Sequence, residues 1–520
     1  MGKGYKIVLT SDRTLMSEYH GAIFLGFSAC VPKGLIPDRL YFKLFSPTVK
    51  KNKNGSVKYA PCGVRKIESV LLESGFSRDE VIVAHPDALK KVVGPETKVL
   101  ALNETDPLGI APATSTFTQL FGGNSYSYYK FREILTSPTV KKYKPRIIVG
   151  GPGAWQLENN GTSEGLGIDC VVVGEGENIA ESLFRDAVDG KPLPKVVKGS
   201  VVPVDKIPVN HEAAVCGVVE IARGCGRGCE FCVPTLLKFR CLPIDHILKE
   251  VDVNLRAHRQ PLLHAEDVIR YGAKGLDVNK EAVLKLFRSV KNYPGVKTVG
   301  ISHFAMASVM SAPDLIPELS DILELNERKD YMSGQVGIET GSPRLLAEHM
   351  LGKCKPFDPE EWPQVVTGGF ELLNENNWIP CATMIQGLPN ETEEDIQKSI
   401  SLVKDLRKYK SIIVPLFFVS EGSMRGSESF IATKLTDAQL ELLLKCWDHN
   451  FEWFPRIYDD GFKKNFKSSL ARLGIRIAMD YGIAAAKRMI DKFGRNPKEI
   501  ERVIEMRLAS KNKEAPTVTH

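Results

Sequence analysis

No stretch of this sequence approaches the roughly 18 uninterrupted apolar residues that a membrane-spanning helix requires, so nothing in it reads as a transmembrane segment. The N-terminus, MGKGYKIVLTSDRTL, lacks the longer apolar core and small-residue cleavage site of a secretory signal, which predicts a cytoplasmic protein. Charge of one sign is also scarce. The net +6 is a small excess of 69 basic over 63 acidic residues, without an arginine-rich arm or interleaved aromatic and basic residues, and gives no support to nucleic acid as a partner. Eleven cysteines, odd in number and unevenly spaced, do not form a disulfide framework. No solenoid-period repeat or low-complexity block is present.

What is there is a long chain with two α/β alternations. At 520 residues it should divide into two or three domains. Apolar runs at Val81–Ala84, Val99–Leu102, Arg146–Val149 and Cys170–Val173, with a helical pattern over Pro61–Gly75, predict a doubly wound Rossmann-like domain over residues 1–200. Its last two runs end in GGPG (Gly150, Gly151, Gly153) and GEGE (Gly174, Gly176), at the carboxyl ends of strands, where open α/β sheets bind ligands. A proline-rich linker, Lys191–Pro208, marks the boundary. Six further runs, beginning at Gly217, Leu262, Val299, Gln335, Cys381 and Ile412, predict a partial (β/α)6 TIM-type barrel over residues 201–425. Residues 426–520 read as a helical C-terminal region ending in a charged helix that frays into a tail.

The chemistry is concentrated in IARGCGRGCEFCVP, where Cys225, Cys229 and Cys232 follow an apolar strand in a CxxxCxxC spacing. Thiolates are the usual ligands of iron–sulfur clusters. Three on one loop can hold three irons of a four-iron cluster and leave the fourth open to chelate a small molecule. Gly224, Gly226 and Gly228 suit a loop that folds tightly around a cubane. Three buried small hydrophobes, or a zinc site lacking its fourth ligand, are the alternatives.

This segment resembles the signature of the radical S-adenosylmethionine superfamily. The resemblance implies that Phe231 packs near the adenine. It extends to His264-Ala265-Glu266-Asp267, where the superfamily supplies acceptors for the amino group of S-adenosylmethionine, and to GIETGS, whose Glu339 would reach the ribose. GLPNET is similar to the superfamily's GLPGET turn, with Asn390 in place of glycine. Capping or ion pairing is the alternative for Glu266, Asp267 and Glu339. The N-terminal order resembles the cobalamin-binding domain that precedes many such barrels, with Gly150, Gly151, Gly153, Gly174 and Gly176 in the upper loops and Asp106 and Leu108 in the lower-face loop. The histidine of the mutase DxHxxG motif is missing there, so no histidine of that loop is a lower axial ligand. A Rossmann-like domain kept for architecture or substrate docking is the alternative.

The resemblance implies a [4Fe–4S] cluster, S-adenosylmethionine and cobalamin as cofactors, a small ferredoxin- or flavodoxin-type reductant, and methylation of an unactivated sp3 carbon on a peptide or protein. TSDRTLMSEYHG, DPLG and GGPGAWQ are similar to archaeal members, among them the glutamine C-methyltransferase acting on methyl-coenzyme M reductase. Carbon–carbon bond formation or cyclisation on isoprenoid lipid chains is a second enzyme reading, and an iron–sulfur relay or sensor a non-enzymatic one. Cys354 is a candidate catalytic thiol, and Tyr271 and Tyr331 are candidates for acting near the radical or for packing.

Overall fold

The computed structural model describes residues 2–494 apart from 22, 234–236, 329 and 466–468. The charged final helix expected from the sequence lies outside the described residues.

Six strands form the first sheet: β1 (Ile7–Thr10), β2 (Val81–Val83), β3 (Val99–Asn103), β4 (Arg146–Gly150), β5 (Cys170–Val173) and β6 (Val196–Lys198). Their order is β2-β1-β3-β4-β5-β6 and every pairing is parallel. Helices cover both faces, so successive strand residues enter different cores: Ile7 and Leu9 pack with helix Cys62–Glu73, and Val8 with helix Tyr126–Leu135. The order reverses between β1 and β3, which puts a ligand crevice at the carboxyl ends of those two strands. The strand Val196–Lys198 arises within the proline-rich stretch that reads as a linker.

Strands β7 (Val218–Glu220), β10 (Leu262–His264) and β11 (Gly300–Ile301) form a second parallel sheet, and β12 (Met332–Glu339), β13 (Trp378–Gln386) and β14 (Ile412–Phe417) a third. A parallel bridge from His303 to Gln335 joins them, giving six parallel strands in sequential order. A two-residue antiparallel pair, β8 (Ala222–Arg223) with β9 (Arg240–Cys241), closes off the cysteine loop between them. Helices Asp437–Asp460 and Ser469–Gly494 end the described chain, the first started by a capping box of Thr436 and Gln439. Among the described residues no helix is long and apolar enough to cross a membrane.

The two α/β units share a dense seam. Lys66 is buried against Glu250 and donates to the carbonyl of Pro208 at 2.7 Å. Thr116 accepts from the backbone of Phe417 at 2.7 Å. Residues 11–61, far longer than an ordinary βα connection of 2–6 residues, straddle both units: Asp12 N donates to Glu104, while Glu18 pairs with Arg259 and Phe27 packs in a cluster with Ile379 and Val414.

Candidate active site

The cysteine loop leaves β8 through glycines that the chain geometry requires. Gly224, Gly226 and Gly228 have φ of +74°, +69° and +79°, and a Cβ on Gly224 would stand 2.4 Å from the carbonyl oxygen of Leu237. Cys229 is buried, Cys225 and Cys232 are half-buried, and none of the three is in a disulfide. Burial holds the Cys225 and Cys229 thiols above their usual pKa; the charges of Arg227 and Arg270 oppose it at Cys225, and Lys353 at Cys229. Among the described residues no three His, Cys, Asp or Glu side chains are gathered as ligands of one metal ion. A cubane binds each thiolate at its own iron and does not draw them onto one centre.

Buried ion pairs fix this loop from behind. Arg227 donates to Asp267 Oδ2 at 3.1 Å, to Ser308 Oγ at 2.7 Å and to the carbonyl of Gly352 at 3.0 Å, while Arg270 donates to the carbonyl of Cys225 at 2.7 Å. Asp267 also accepts from Ser308 Oγ at 2.6 Å and from the backbone of Ala305 at 3.2 Å. The Asp267 carboxylate is thus buried and bonded to Arg227 and Ser308. Its neighbour Glu266 is half-buried, has no hydrogen-bond or ion-pair partner among the described residues, and is pushed upward in pKa by burial against the opposing pull of His264. Phe231 is half-buried against the core.

Glu339 ends β12 with φ +59°, beside a register shift between Gly337 and Glu339. Its carboxylate accepts from Lys353 Nζ at 3.1 Å and from Thr383 Oγ1 at 3.0 Å. A Cβ on Gly337 would fall 1.9 Å from Glu339 Oε1, so only glycine lets the carboxylate fold back there. Burial opposes the charge on Lys353, but Glu339 and then Cys229 outweigh it and raise its pKa. Lys353 is a cation between the cysteine loop and Glu339 that sequence reasoning missed.

Polar side chains lie near the carboxyl ends of β10 and β11. His264 Nδ1 lies 2.9 Å from Ser302 Oγ, His303 Nε2 lies 3.0 Å from Gln335 Oε1, and the two rings are 5.8 Å apart, edge to face. His303 Nδ1 is buried without a partner. Burial lowers both histidines, keeping the imidazoles neutral. Beside Gln335, a cavity of about 340 Å³ is lined also by Leu262, Ile301, Met332 and Cys381. The histidine of the ISHF segment after the third strand was the available sequence signal for His303.

The loop after β14 joins the cysteine loop to the first sheet. Ser423 N donates to the carbonyl of Glu230 at 2.8 Å, while Arg425 pairs with Glu158 and donates to the carbonyl of Trp155 at 2.6 Å. Gly422 has φ +60°, and a Cβ there would lie 2.4 Å from Glu230 O and 2.8 Å from Cys232 N. Glu421 in this loop is pushed up to about 7 by burial and by the nearby charge of Asp106. No sequence motif pointed to this loop.

In the first sheet the glycine loops lie close together. Gly153 N donates to Glu104 O at 2.9 Å, and a Cβ on Gly151 or Gly153 would stand 2.7 Å from Glu104 O or 2.3 Å from Thr105 O. Gly150 packs beside Val172. Gly174 has φ +94° and lies against Gly199, and Gly176 against Ile67. Between them Glu175 accepts from Arg223 at 2.8 Å and binds Arg240, while Glu177 accepts from Arg223 at 2.5 Å. The GEGE loop is thereby tied to the two ends of the cysteine loop. Asp106 Oδ1 accepts from the backbone of Ile110 and Ala111 at 2.9 and 3.0 Å and from Gln156 at 2.8 Å; Leu108 N donates to Gln156 at 2.9 Å. Ser11 Oγ, Glu104 Oε2, Asp106 Oδ2 and Thr114 Oγ1 are buried there without partners.

Cys354 is buried and its thiol points at the carbonyl of Leu351, 3.2 Å away. Tyr271 donates to the carbonyl of Leu242 at 2.7 Å, and Tyr331 packs against Gly461. Burial raises the Cys354 thiol above its usual pKa, and Tyr331 also lines the cavity beside Gln335.

No protein-family model matches the chain. It is 24% identical over 233 residues to the tRNA-2-methylthio-N(6)-dimethylallyladenosine synthase of Clostridium beijerinckii, covering 44% of this chain and 47% of that protein. It is 28% identical over 195 residues to the ribosomal protein uS12 methylthiotransferase RimO of Thermotoga petrophila, covering 36% of this chain and 41% of that protein. The chain thus spans about half the length of these curated relatives or less. Among solved structures it resembles TsrM of Kitasatospora setae, a radical S-adenosylmethionine methyltransferase with cobalamin and a [4Fe–4S] cluster bound, with TM-score 0.52 and 14% identity over 81% of this chain and 77% of that one. At that identity the likeness shows a shared fold. The relatives and this structural neighbour are enzymes.

Proposed function

We propose that this chain is a radical S-adenosylmethionine enzyme that methylates an unactivated sp3 carbon with the help of cobalamin. The observation that carries the reading is the loop of Cys225, Cys229 and Cys232, three cysteines outside any disulfide, with Arg227, Arg270 and Lys353 nearby and Glu339 close to Cys229. This donor set fits a [4Fe–4S] cluster, because thiolates are its ligands and the surrounding cations offset their charge. Cys225, Cys229 and Cys232 would hold the cluster, which would supply the electron for reductive cleavage of S-adenosylmethionine to methionine and the 5'-deoxyadenosyl radical.

Glu266 and Glu339 are the acceptors for the amino group and the ribose hydroxyls, Glu266 being the carboxyl with no internal partner. Ser11, Glu104, Asp106 and Thr114 keep oxygens unpartnered at the carboxyl ends of β1 and β3, a fit for a ligand rich in amide groups such as cobalamin, which would supply the methyl group.

His264, Ser302, His303, Gln335 and Thr383 form paired hydrogen-bonding groups on neighbouring strands, with His303 Nδ1 left unpartnered, a polar setting that favours a peptide or protein side chain as substrate over an isoprenoid chain. Glutamine C-methylation, as in the methyl-coenzyme M reductase enzyme, is within this class. A small ferredoxin- or flavodoxin-type protein is the proposed electron donor.

The test is anaerobic reconstitution with iron, sulfide and hydroxocobalamin, desalting, an optical spectrum, and an assay for 5'-deoxyadenosine. Retained corrin bands together with 5'-deoxyadenosine support the reading. 5'-Deoxyadenosine without retained corrin removes cobalamin-dependent methylation.

A further inference from the structure

Helix Ser469–Gly494 is apolar on two opposite sides. Ile475 and Met479 face inward, in a cluster with Tyr458 and Leu25. Across the helix, Leu470, Leu473, Ile477 and Tyr481 recur at spacings of three, four and four residues, which places them in one stripe. They are 82%, 57%, 59% and 74% exposed. The stripe is roughly 16 Å long at 1.5 Å per residue. Gly474 and Gly482, close beside it, have open space where a Cβ would stand. A contiguous row of large exposed apolar side chains marks an interaction surface.

Charge names the occupant. The segment 461–494 contains eight lysines and arginines against two aspartates, a net +6 equal to that of the whole chain, so the other residues sum to zero. Arg476 is held by Asp459 and Asp480 and Lys463 by Asp459, while Lys487, exposed but 6.0 Å over the Phe451 ring, and the exposed Arg488 stand at the far end of the stripe. We propose that this helix docks the protein on an anionic lipid surface, with Leu470, Leu473, Ile477 and Tyr481 entering the headgroup boundary and the basic side chains meeting lipid phosphates. An amphipathic helix with an apolar stripe and Lys/Arg flanks lies in the membrane interface, and each basic residue near the surface adds attraction. Tyrosine suits that depth, and long basic side chains reach back to the headgroups. A second copy would bring two like-charged segments together. RNA would use the charge and leave the apolar stripe without a role. The docking surface is independent of the proposed chemistry.

The experiment is co-sedimentation of the full chain with vesicles of phosphatidylcholine and phosphatidylglycerol, about three to one, and with phosphatidylcholine alone, at about 0.1 M salt. The protein is expected on the anionic vesicles and released by salt. L473E/I477E should weaken the partition at least about tenfold, and K487E/R488E should weaken it on anionic vesicles only. All four positions are exposed, and circular dichroism with iron content checks that the variants keep the fold.

Absence of vesicle binding by the unaltered chain overturns the proposal, as does binding that L473E/I477E leaves unchanged. Sedimentation velocity showing a dimer that L473E/I477E dissociates, without vesicle binding, assigns the stripe to a second copy instead. Binding of tRNA that K487E/R488E abolishes and L473E/I477E does not, again without vesicle binding, assigns the charge to RNA.

Discussion

Arg223 donates from Nη1 to Glu175 Oε2 at 2.8 Å, and this bond fastens the loop after β5 to the residue that precedes Gly224 and Cys225. The pair is largely buried, and Arg223 also binds Glu177 and Glu220. Burial pushes the Glu220 carboxyl up, but the charge of Arg223 wins and lowers it; burial likewise opposes the charge on Arg223, and Glu220 and then Glu177 outweigh it and raise its pKa. Removing one partner of such a network strands buried charge, at about 3 kcal/mol or more. Glu175→Gln is therefore expected to lower the denaturation midpoint and speed iron loss from the reconstituted protein. An unchanged iron-release rate would show that the seam does not support the cysteine loop.

Lys66 and Glu250 form the most deeply buried ion pair of the seam, at 3% and 0% side-chain exposure. Lys66→Met removes the cation and leaves Glu250 with only His246 and the backbone of Asn210 nearby. A loss of about 3 kcal/mol in chemical denaturation is expected, and adding Glu250→Leu should recover part of it, because pairing and not volume is what the site lacks.

Gly422 touches the backbone of Cys232 so closely that a methyl group cannot be added without moving one of them. Gly422→Ala should displace Cys232 and lower the iron retained after reconstitution, whereas Gly426→Ala, with open space around it, should retain iron like the parent protein. The paired comparison isolates the contact, since both glycines have positive φ and both substitutions carry backbone strain.

Glu421 gives a pH dependence of known sign. Its folded pKa is about 7, raised first by burial and then by Asp106, against an ordinary value of 4.5. The folded state therefore binds more protons than the unfolded one between about pH 4.5 and 7, and stability falls as pH rises through that window. Glu421→Gln should be more stable than the parent at pH 8, with the difference shrinking toward pH 5, in parallel denaturation series. A difference independent of pH would place the carboxyl in an ordinary solvated setting.

Much of this molecule was legible in its sequence because strand periodicity and glycine placement are local properties. The runs at Val99, Arg146, Leu262 and Cys381 are strands β3, β4, β10 and β13, and Asn390, which stands where the related turn has glycine, adopts φ +60°, a conformation asparagine tolerates. What was not legible depends on contacts far apart along the chain. Nothing local reveals that Asp267 is bonded to Arg227, forty residues earlier. The ion pairs of Glu175 and Glu177 with Arg223 are hidden for the same reason, and Lys353, Glu421 and the bridging loop around Gly422 carry no motif. Ser342 and Thr392 belong to segments that resemble cofactor motifs, yet both hydroxyls cap helices and both bond to Asp395. A motif can thus hold fold and site together.

The most direct test of the proposed chemistry is to reconstitute the parent chain and the single variants Cys225→Ala, Cys229→Ala and Cys232→Ala anaerobically with iron and sulfide. Iron, zinc and 5'-deoxyadenosine formed from S-adenosylmethionine under a strong reductant are then measured. About four irons per chain and 5'-deoxyadenosine from the parent, with both lost in each variant, is the expected result. One zinc per chain, or iron without any 5'-deoxyadenosine, would contradict a radical enzyme and leave the three cysteines as a structural or electron-relay site.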